Sequence, residues 1–379
     1  MKNLFLGTTA IVAAAALSAP AMAAERIQLE LRGYHVGGVS YTDGEYTSFS
    51  RDILHSGGTF SDVTGDYNEI NFGSDSEVHF RGSTSLDNGL RISFKAELEL
   101  EDDADVDSDA DAIDEVYIQL DGGFGRVQFG QNDGVMDQMA VVAPLIFKEH
   151  GHSDSDLDPF DPIGWGNPID TVGDFTGDDI KLTYFTPSMN GFQLGASFTP
   201  NPCKNDTGYS PCVATEFARN YIEVSATFEA DLGNVEIGLS GGYGQGSAGN
   251  SGDEPTEWTL GAQLESGGFT LGGSYKDTNT TGNSSHDETH WDVGIAYETG
   301  PWMFNVAYGA MEADWIDGDV YTEEGNSWIA GVAYMYGPGM QIGAGVTTLD
   351  AEETNFDGHW LYGDSFEGLS LFIENSIKF

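Results

Sequence analysis

The stretch SEVHFRGSTSLDNGLRISFKAELEL (residues 76–100) decides how this chain folds. Val78, Phe80, Thr84 and Leu86 fall on one face of an extended backbone, and Glu77, His79, Arg81 and Ser83 on the other. Asp87-Asn88-Gly89 is a hairpin-turn signal. Beyond it Leu90, Ile92, Phe94, Ala96, Leu98 and Leu100 oppose Arg91, Ser93, Lys95, Glu97 and Glu99. Strict period-two alternation on both sides of a tight turn specifies two paired strands with one apolar and one polar face.

The pattern recurs along the chain: IQLEL (27–31), EVYIQL (115–120), RVQFGQ (126–131), IKLTYF (180–185), FQLGASF (192–198), IEVSATF (222–228) and VEIGLSGGY (235–243). It continues through WTLGAQL (258–264), FTLGGSY (269–275), WDVGIAY (291–297), WMFNVAY (302–308), WIAGVAYMY (328–336) and MQIGAGV (340–346). The chain closes on GLSLFIENSIKF (368–379), with Leu369, Leu371, Ile373, Ile377 and Phe379 at odd positions. Sixteen strands are expected in all. Such apolar stripes need something greasy to face.

Composition restricts what that can be. With 62 acidic and 14 basic residues the formal charge is −48, which repels nucleic acid and anionic headgroups. Aromatic residues at 12%, with 51 Gly against 12 Pro, argue against a disordered chain and for many strands with tight turns. Residues 1–23 read as a secretory signal peptide: Lys2, an apolar stretch from Leu4 to Leu17, and the small-residue site Ala21-Met22-Ala23. Beyond it no run approaches the roughly 20 apolar residues a helical span requires.

Connection lengths alternate. Those after residues 86, 120, 185, 228, 264, 297 and 336 are short; those after 31, 100, 131, 198, 243, 275, 308 and 346 are long, polar and acidic. A sandwich has no reason to sort its loops, whereas an up-and-down barrel in a bacterial outer membrane keeps short turns on the periplasmic side. Aromatic residues bracket the apolar face: Trp258, Tyr275, Trp291, Tyr308 and Trp328 at the long-loop ends, Phe269, Tyr297, Trp302, Tyr334 and Tyr336 at the turn ends. Two such rows suit the two membrane interfaces. The expected fold is therefore all-β, a 16-stranded antiparallel transmembrane β-barrel over residues 24–379, closed by pairing of the first strand with the last.

On these features the chain resembles the trimeric general-diffusion porins of Gram-negative bacteria, most closely the alphaproteobacterial type. The likeness runs through SEVHFRGSTSLDNGL (76–90), IDEVYIQLDGGFGRVQFGQNDG (113–134) and DIKLTYFTPSMNGFQLGASFTP (179–200) and covers essentially the whole chain after the signal peptide. It implies a homotrimer in the outer membrane, in contact with lipid bilayer and lipopolysaccharide, passing ions and small hydrophilic solutes. Phe379 and Ile377 resemble the signal read by the barrel-assembly machinery, although Asn375 stands where an apolar residue is usual.

Residues 132–178 form the third long connection and carry AVVAPLIF (140–147), Phe160, Ile163, Trp165, Ile169 and Phe175, apolar groups poorly suited to a solvated tip. In the resembled family this loop folds back and narrows the pore, so 132–178 is expected to be the constriction loop. Parity places Arg32, Arg81, Lys95 and Arg126 on the polar face of four of the first five strands, within about six residues of the short-turn end at about 3.3 Å per residue. In the resembled porins such a basic wall faces loop acids; the candidates here are Asp133, Asp137, Glu149, Asp154, Asp156 and Asp158. Fixed charge in a narrow aqueous slot biases ion passage, and the excess of acid points to mild cation selectivity.

The remaining motifs are weaker. Asp103, Asp105 and Asp107 have alternate spacing, but Ser108 replaces the EF-hand glycine, which leaves a weak Ca²⁺ candidate and no expected cofactor. Glu149, His150, His152 and Asp154 could ligate a transition metal, although a lumen-lining or solvated role suits them better. Cys203 and Cys212, on one loop of an exported chain, are expected to form a disulfide. No nucleophile–base pair stands out beyond His79 near Ser83 or Ser85, so an enzyme is not expected. A substrate-specific channel and a barrel enzyme are the alternatives.

Overall fold

A computed structural model describes residues 26–52, 60–100, 113–153, 157–160, 168–200, 219–247, 254–281, 285–317, 319–356 and 360–379. It holds sixteen strands, one at each position expected from alternation. They are β1 (Gln28–Asp52), β2 (Phe60–Ser85), β3 (Arg91–Glu99), β4 (Val116–Gly122), β5 (Gly125–Gln131), β6 (Ile180–Phe185), β7 (Phe192–Thr199) and β8 (Arg219–Asp231). There follow β9 (Glu236–Ser247), β10 (Glu254–Ser266), β11 (Phe269–Thr281), β12 (Ser285–Thr299), β13 (Trp302–Asp317), β14 (Asp319–Gly337), β15 (Met340–Phe356) and β16 (Trp360–Lys378). Each pairs antiparallel with its sequence neighbours, and β1 pairs with β16 to close the barrel. At the seam Gly33 N–H donates to the Phe379 carbonyl at 3.0 Å, and Phe379 N–H donates back at 2.9 Å. No strand edge is left open.

Alternation sorts the two faces as the sequence requires. Leu369, Leu371 and Ile373 on β16 point outward, with 41–52% of their surface exposed, while Ser370, Phe372 and Glu374 between them are buried. Covering an outward Leu or Ile with lipid is worth about 1.5–3 kcal/mol. The aromatic rows pack ring on ring along the outer face: Trp258 on Tyr275 at 4.8 Å and Tyr308 on Trp328 at 4.7 Å in one, Phe269 on Tyr297 at 4.3 Å and Trp302 on Tyr334 at 4.7 Å in the other.

The strands run well beyond what the sequence pattern marks. β1 has 25 residues and β2 has 26, against the roughly 9–11 that cross a bilayer. The connection expected after residue 31 is thus mostly strand, as are those after 308 and 346. The reason is visible in the register. Asp43, Leu369, Thr348, Trp328 and Tyr308 are successive neighbours at the aromatic row, and one pair further out stand Glu45, Glu367 and Asp350. Past the lipid the outer face is wet, so alternation of hydropathy disappears, but the backbone ladder continues.

Inside the barrel the apolar cores are small and local. Among the described residues each joins the β5–β6 connection to the wall or the wall to itself: Ile146 and Phe147 with Ala296, Ile329, Ala333 and Phe372; Phe160 with Leu349, Ala351 and Phe366; Val135 and Met139 with Phe185; Ile169 with Met311 and Ala313.

Candidate functional site

The segment between β5 and β6 begins at Asn132, fully buried, and its described residues include a short helix, α1 (Val135–Gln138). It then follows the inward face of the wall from strand to strand. Val135 N–H donates to Ser197 Oγ on β7 at 2.9 Å, and Val141 N–H to Ser240 Oγ on β9 at 3.0 Å. Gln263 Nε2 on β10 donates to the Val142 carbonyl at 3.1 Å, and Gln341 Nε2 on β15 to the Ile146 carbonyl at 2.5 Å. At β16 Glu374 gathers the chain: Lys148 N–H reaches Oε1 at 3.0 Å, and His150 Nδ1 lies 2.9 Å from Oε2 with its ring stacked 3.9 Å from Phe372. Thr42 Oγ1 on β1 donates to the Pro159 carbonyl at 3.1 Å.

A return path runs back along β13 to β8. Asp170 N–H donates to His290 Nδ1 at 3.1 Å, and Lys276 Nζ donates to Asp170 Oδ2 at 2.6 Å. Thr171 Oγ1 accepts from Ser274 Oγ at 2.9 Å, and Thr176 Oγ1 donates to Glu223 Oε1 at 2.8 Å. Glycines make the approach feasible. A Cβ at Gly261 would lie 1.8 Å from the Val141 carbonyl oxygen, and one at Gly331 would lie 2.3 Å from the Phe147 ring.

The four wall cations divide. Arg81 and Lys95 are direct cross-strand partners, and Arg32 is the partner of His79, one inward position from Arg81. Arg126 is the partner of Asp121, which is in turn the partner of Arg91, so it stands at a different level. Each answers to acids of the wall itself. Arg32 pairs with Glu30 at 2.8 Å and Arg126 with Asp121 at 3.2 Å. Lys95 lies 2.7 Å from Glu97 and 2.5 Å from Glu115, and Arg81 is 3.8 Å from Glu97. The clusters Glu77–His79–Glu97 and Glu115–Asp133–Asp178 each bring three ligand-type atoms within 4.8 Å, and Lys95 lies between them as their cation.

Of the loop acids, Asp133 comes nearest this wall: its N–H donates to Glu115 Oε1 at 3.3 Å. Burial, reinforced by Asp137, Glu115 and Asp178, pushes its carboxyl up to about 9. Burial and then Asp174 push Asp137 up to about 7. Glu149 is fully buried beside Lys148 on the β16 side, and Asp158 caps its own turn by accepting from Phe160 N–H at 2.9 Å. His152 lies 4.0 Å from Asp292 on β12, and burial holds its imidazole down at about 4. The side chains of Glu149, His150 and His152 therefore turn to Lys148, Glu374 and Asp292, while the Glu149 N–H also reaches Glu374 at 3.4 Å. Asp154, Asp156, Asp103, Asp105, Asp107, Cys203, Cys212 and the segment 1–23 lie outside the described residues.

Sequence reasoning passed over Glu97, Glu115, Asp121, Arg91 and Glu374. The parity that puts Lys95 inward also puts Arg91 and Glu97 there; Glu374 is the one acid within GLSLFIENSIKF (368–379). It also passed over the bed on which the loop lies. The inward positions Gly238, Ser240, Gly242, Gly261, Gly272, Gly294, Ala307, Gly331 and Gly343 are a trail of small residues across seven strands, readable in advance.

A closed sixteen-stranded barrel with an apolar outer band and a charged inner face defines a transmembrane β-barrel of the outer-membrane kind. A family model described as Gram-negative porin matches residues 7–354, and the chain belongs to that family. Its place is the bacterial outer membrane. Among solved structures it is similar to OmpT, an outer membrane protein of Vibrio cholerae, at 12% identity and TM-score 0.57 over 95% of this chain and 100% of that one. It is also similar to the outer membrane channel DcaP of Acinetobacter baumannii, at 13% and 0.56 over 93% and 98%. The anion-selective porin from Comamonas acidovorans follows at 17% and 0.54, over 93% and 100%. At these identities the likeness speaks for the fold. No curated protein sequence matches the chain.

Proposed function

We propose that this porin forms a water-filled, mildly cation-selective channel for passive diffusion of ions and small hydrophilic solutes, and that residues 132–178 are its constriction loop. The observation that carries the reading is the run of hydrogen bonds from Val135 to Thr176 along the inward face of β7–β16 and β1. In this reading the loop, held round most of the wall, narrows the pore against the face that carries Arg81, Lys95 and Arg126. Charged walls of a narrow aqueous slot orient polar solutes and exclude apolar ones, which cannot replace the ordered water between them. The net charge of −48 favours cations, while Arg81, Arg126 and Lys95 moderate that preference. A homotrimer is supported by the trimer form recorded for Vibrio cholerae OmpT.

Reconstitution of the purified protein into a planar bilayer tests the channel directly. Large, ohmic current steps in KCl, closing in threes, are the expected result. Folded, inserted protein that passes no current would overturn it.

A further inference from the structure

At the short-turn end of β1–β4 the wall forms an open recess of about 600 Å³. Arg32, Arg81, Arg91 and Lys95 line it, with Glu30 as its one acid. Four of the chain's 14 basic side chains thus share one pocket in a protein of charge −48. Their partners are unevenly supplied. Lys95 is held between Glu97 and Glu115, outside the recess lining, and Arg32 by Glu30. Arg91 makes no ion pair among the described residues: Asp121, opposite it on β4, is engaged by Arg126, and Arg91 Nη2 donates to Ser83 Oγ at 3.5 Å.

The pocket's layout matters as much as its charge. Ser83 and Ser93 are cross-strand partners, and they form a row between Arg81 and Lys95 on one side and Arg91 on the other. Along β3, Arg91 and Lys95 stand four residues apart, about 13 Å at the usual rise. Two hydroxyls therefore lie in a row with cations on both sides of it. Guanidinium groups bind carboxylate and phosphate oxygens through paired N–H donors, which a chloride ion cannot exploit.

We propose that this pocket is a binding site for small polyvalent oxyanions, phosphate or a short dicarboxylate, reached from the short-turn end of the barrel. The site deepens the channel reading and rests on it, since that reading makes the short-turn end periplasmic. It gives a cation-preferring pore a place where multiply charged anions dwell instead of being turned away.

The test is single-channel recording in KCl with potassium phosphate at pH 8 added to one side at constant ionic strength, each variant compared with its own KCl conductance. Phosphate on the short-turn side is expected to raise current noise and lower the open conductance, and the same addition on the long-loop side to do less. Arg91→Gln should weaken the apparent phosphate affinity roughly threefold, as loss of an exposed charge contact does. Phosphate indistinguishable from chloride, equal effects from both sides, or an unchanged response in Arg91→Gln would each overturn the proposal. Failure of the channel reading would show separately, as absence of current in KCl alone.

Discussion

Two sectors of the inner wall carry opposite kinds of residue. From β9 to β15, under the loop, about half of the inward positions are Gly, Ala or Ser, and hydrogen bonds join wall side chains to loop backbone. From β2 to β5 the inward positions include Arg81, Lys95, Glu97, Gln119, Asp121, Arg126 and Gln128, which bond to one another and to Glu115. The first sector makes room for loop backbone, and the second is filled by its own ion pairs and amide bonds. Size and charge at alternate positions thus record where the loop runs, even though neither the loop's length nor its composition says which strands it touches.

The comparison can be broken most severely by removing the loop. Excision of residues 134–176 with a short linker should leave the barrel closed, because β1–β16 pairing does not involve the loop, and raise single-channel conductance severalfold. Conductance unchanged by that deletion would mean that the covered sector does not limit the pore.

Lys95→Gln strikes the charged sector. It leaves the buried carboxylate of Glu115 without its cation and Glu97 with only His79 and the more distant Arg81, at a cost of about 3–5 kcal/mol, read as a lower unfolding temperature. The same variant should conduct with stronger cation preference. Glu374→Ala strikes the covered sector, removing the acceptor for Lys148 N–H and the partner of His150. The local loss is about 1.5–3 kcal/mol, the range for hydrogen bonds to a charged group, and shows as loop-driven current noise with little change in overall melting.

The smallest effect is pH dependence at the loop base. Asp133 and Asp137 are raised from the ordinary carboxylate range to about 9 and about 7. Groups raised in the fold contribute stability that is fully present below about pH 4 and is lost as pH rises through those two values. Hydrogen exchange at Val135 and Met136 should therefore accelerate between pH 6 and pH 10 by more than base catalysis gives, measured against Ile146 as an internal control.

Most of the fold was legible. Strand number, order, closure and the outward stripe of β16 followed from period-two alternation, because lipid on one side and water on the other impose opposite demands on neighbouring residues. The extensions of β1, β2, β13 and β15 were not legible, since beyond the aromatic row both faces of the sheet meet polar surroundings. The candidate site was legible in part. Parity placed Arg81 and Lys95 together, but barrel stagger carries Arg126 to the level of Arg91, and stagger has no local sequence signature. The counterions Glu97 and Glu115 sit on the same alternating face, yet only the register shows that one ammonium group serves both.

The most direct test of the account is the reversal potential of single channels under a KCl gradient. An acid-rich barrel with its cations largely neutralised by Glu30, Glu97, Glu115 and Asp121 should give a potential of the sign set by potassium, short of ideal selectivity. A potential of the sign set by chloride would show that the basic face of β2–β5, and not the total acid, governs passage.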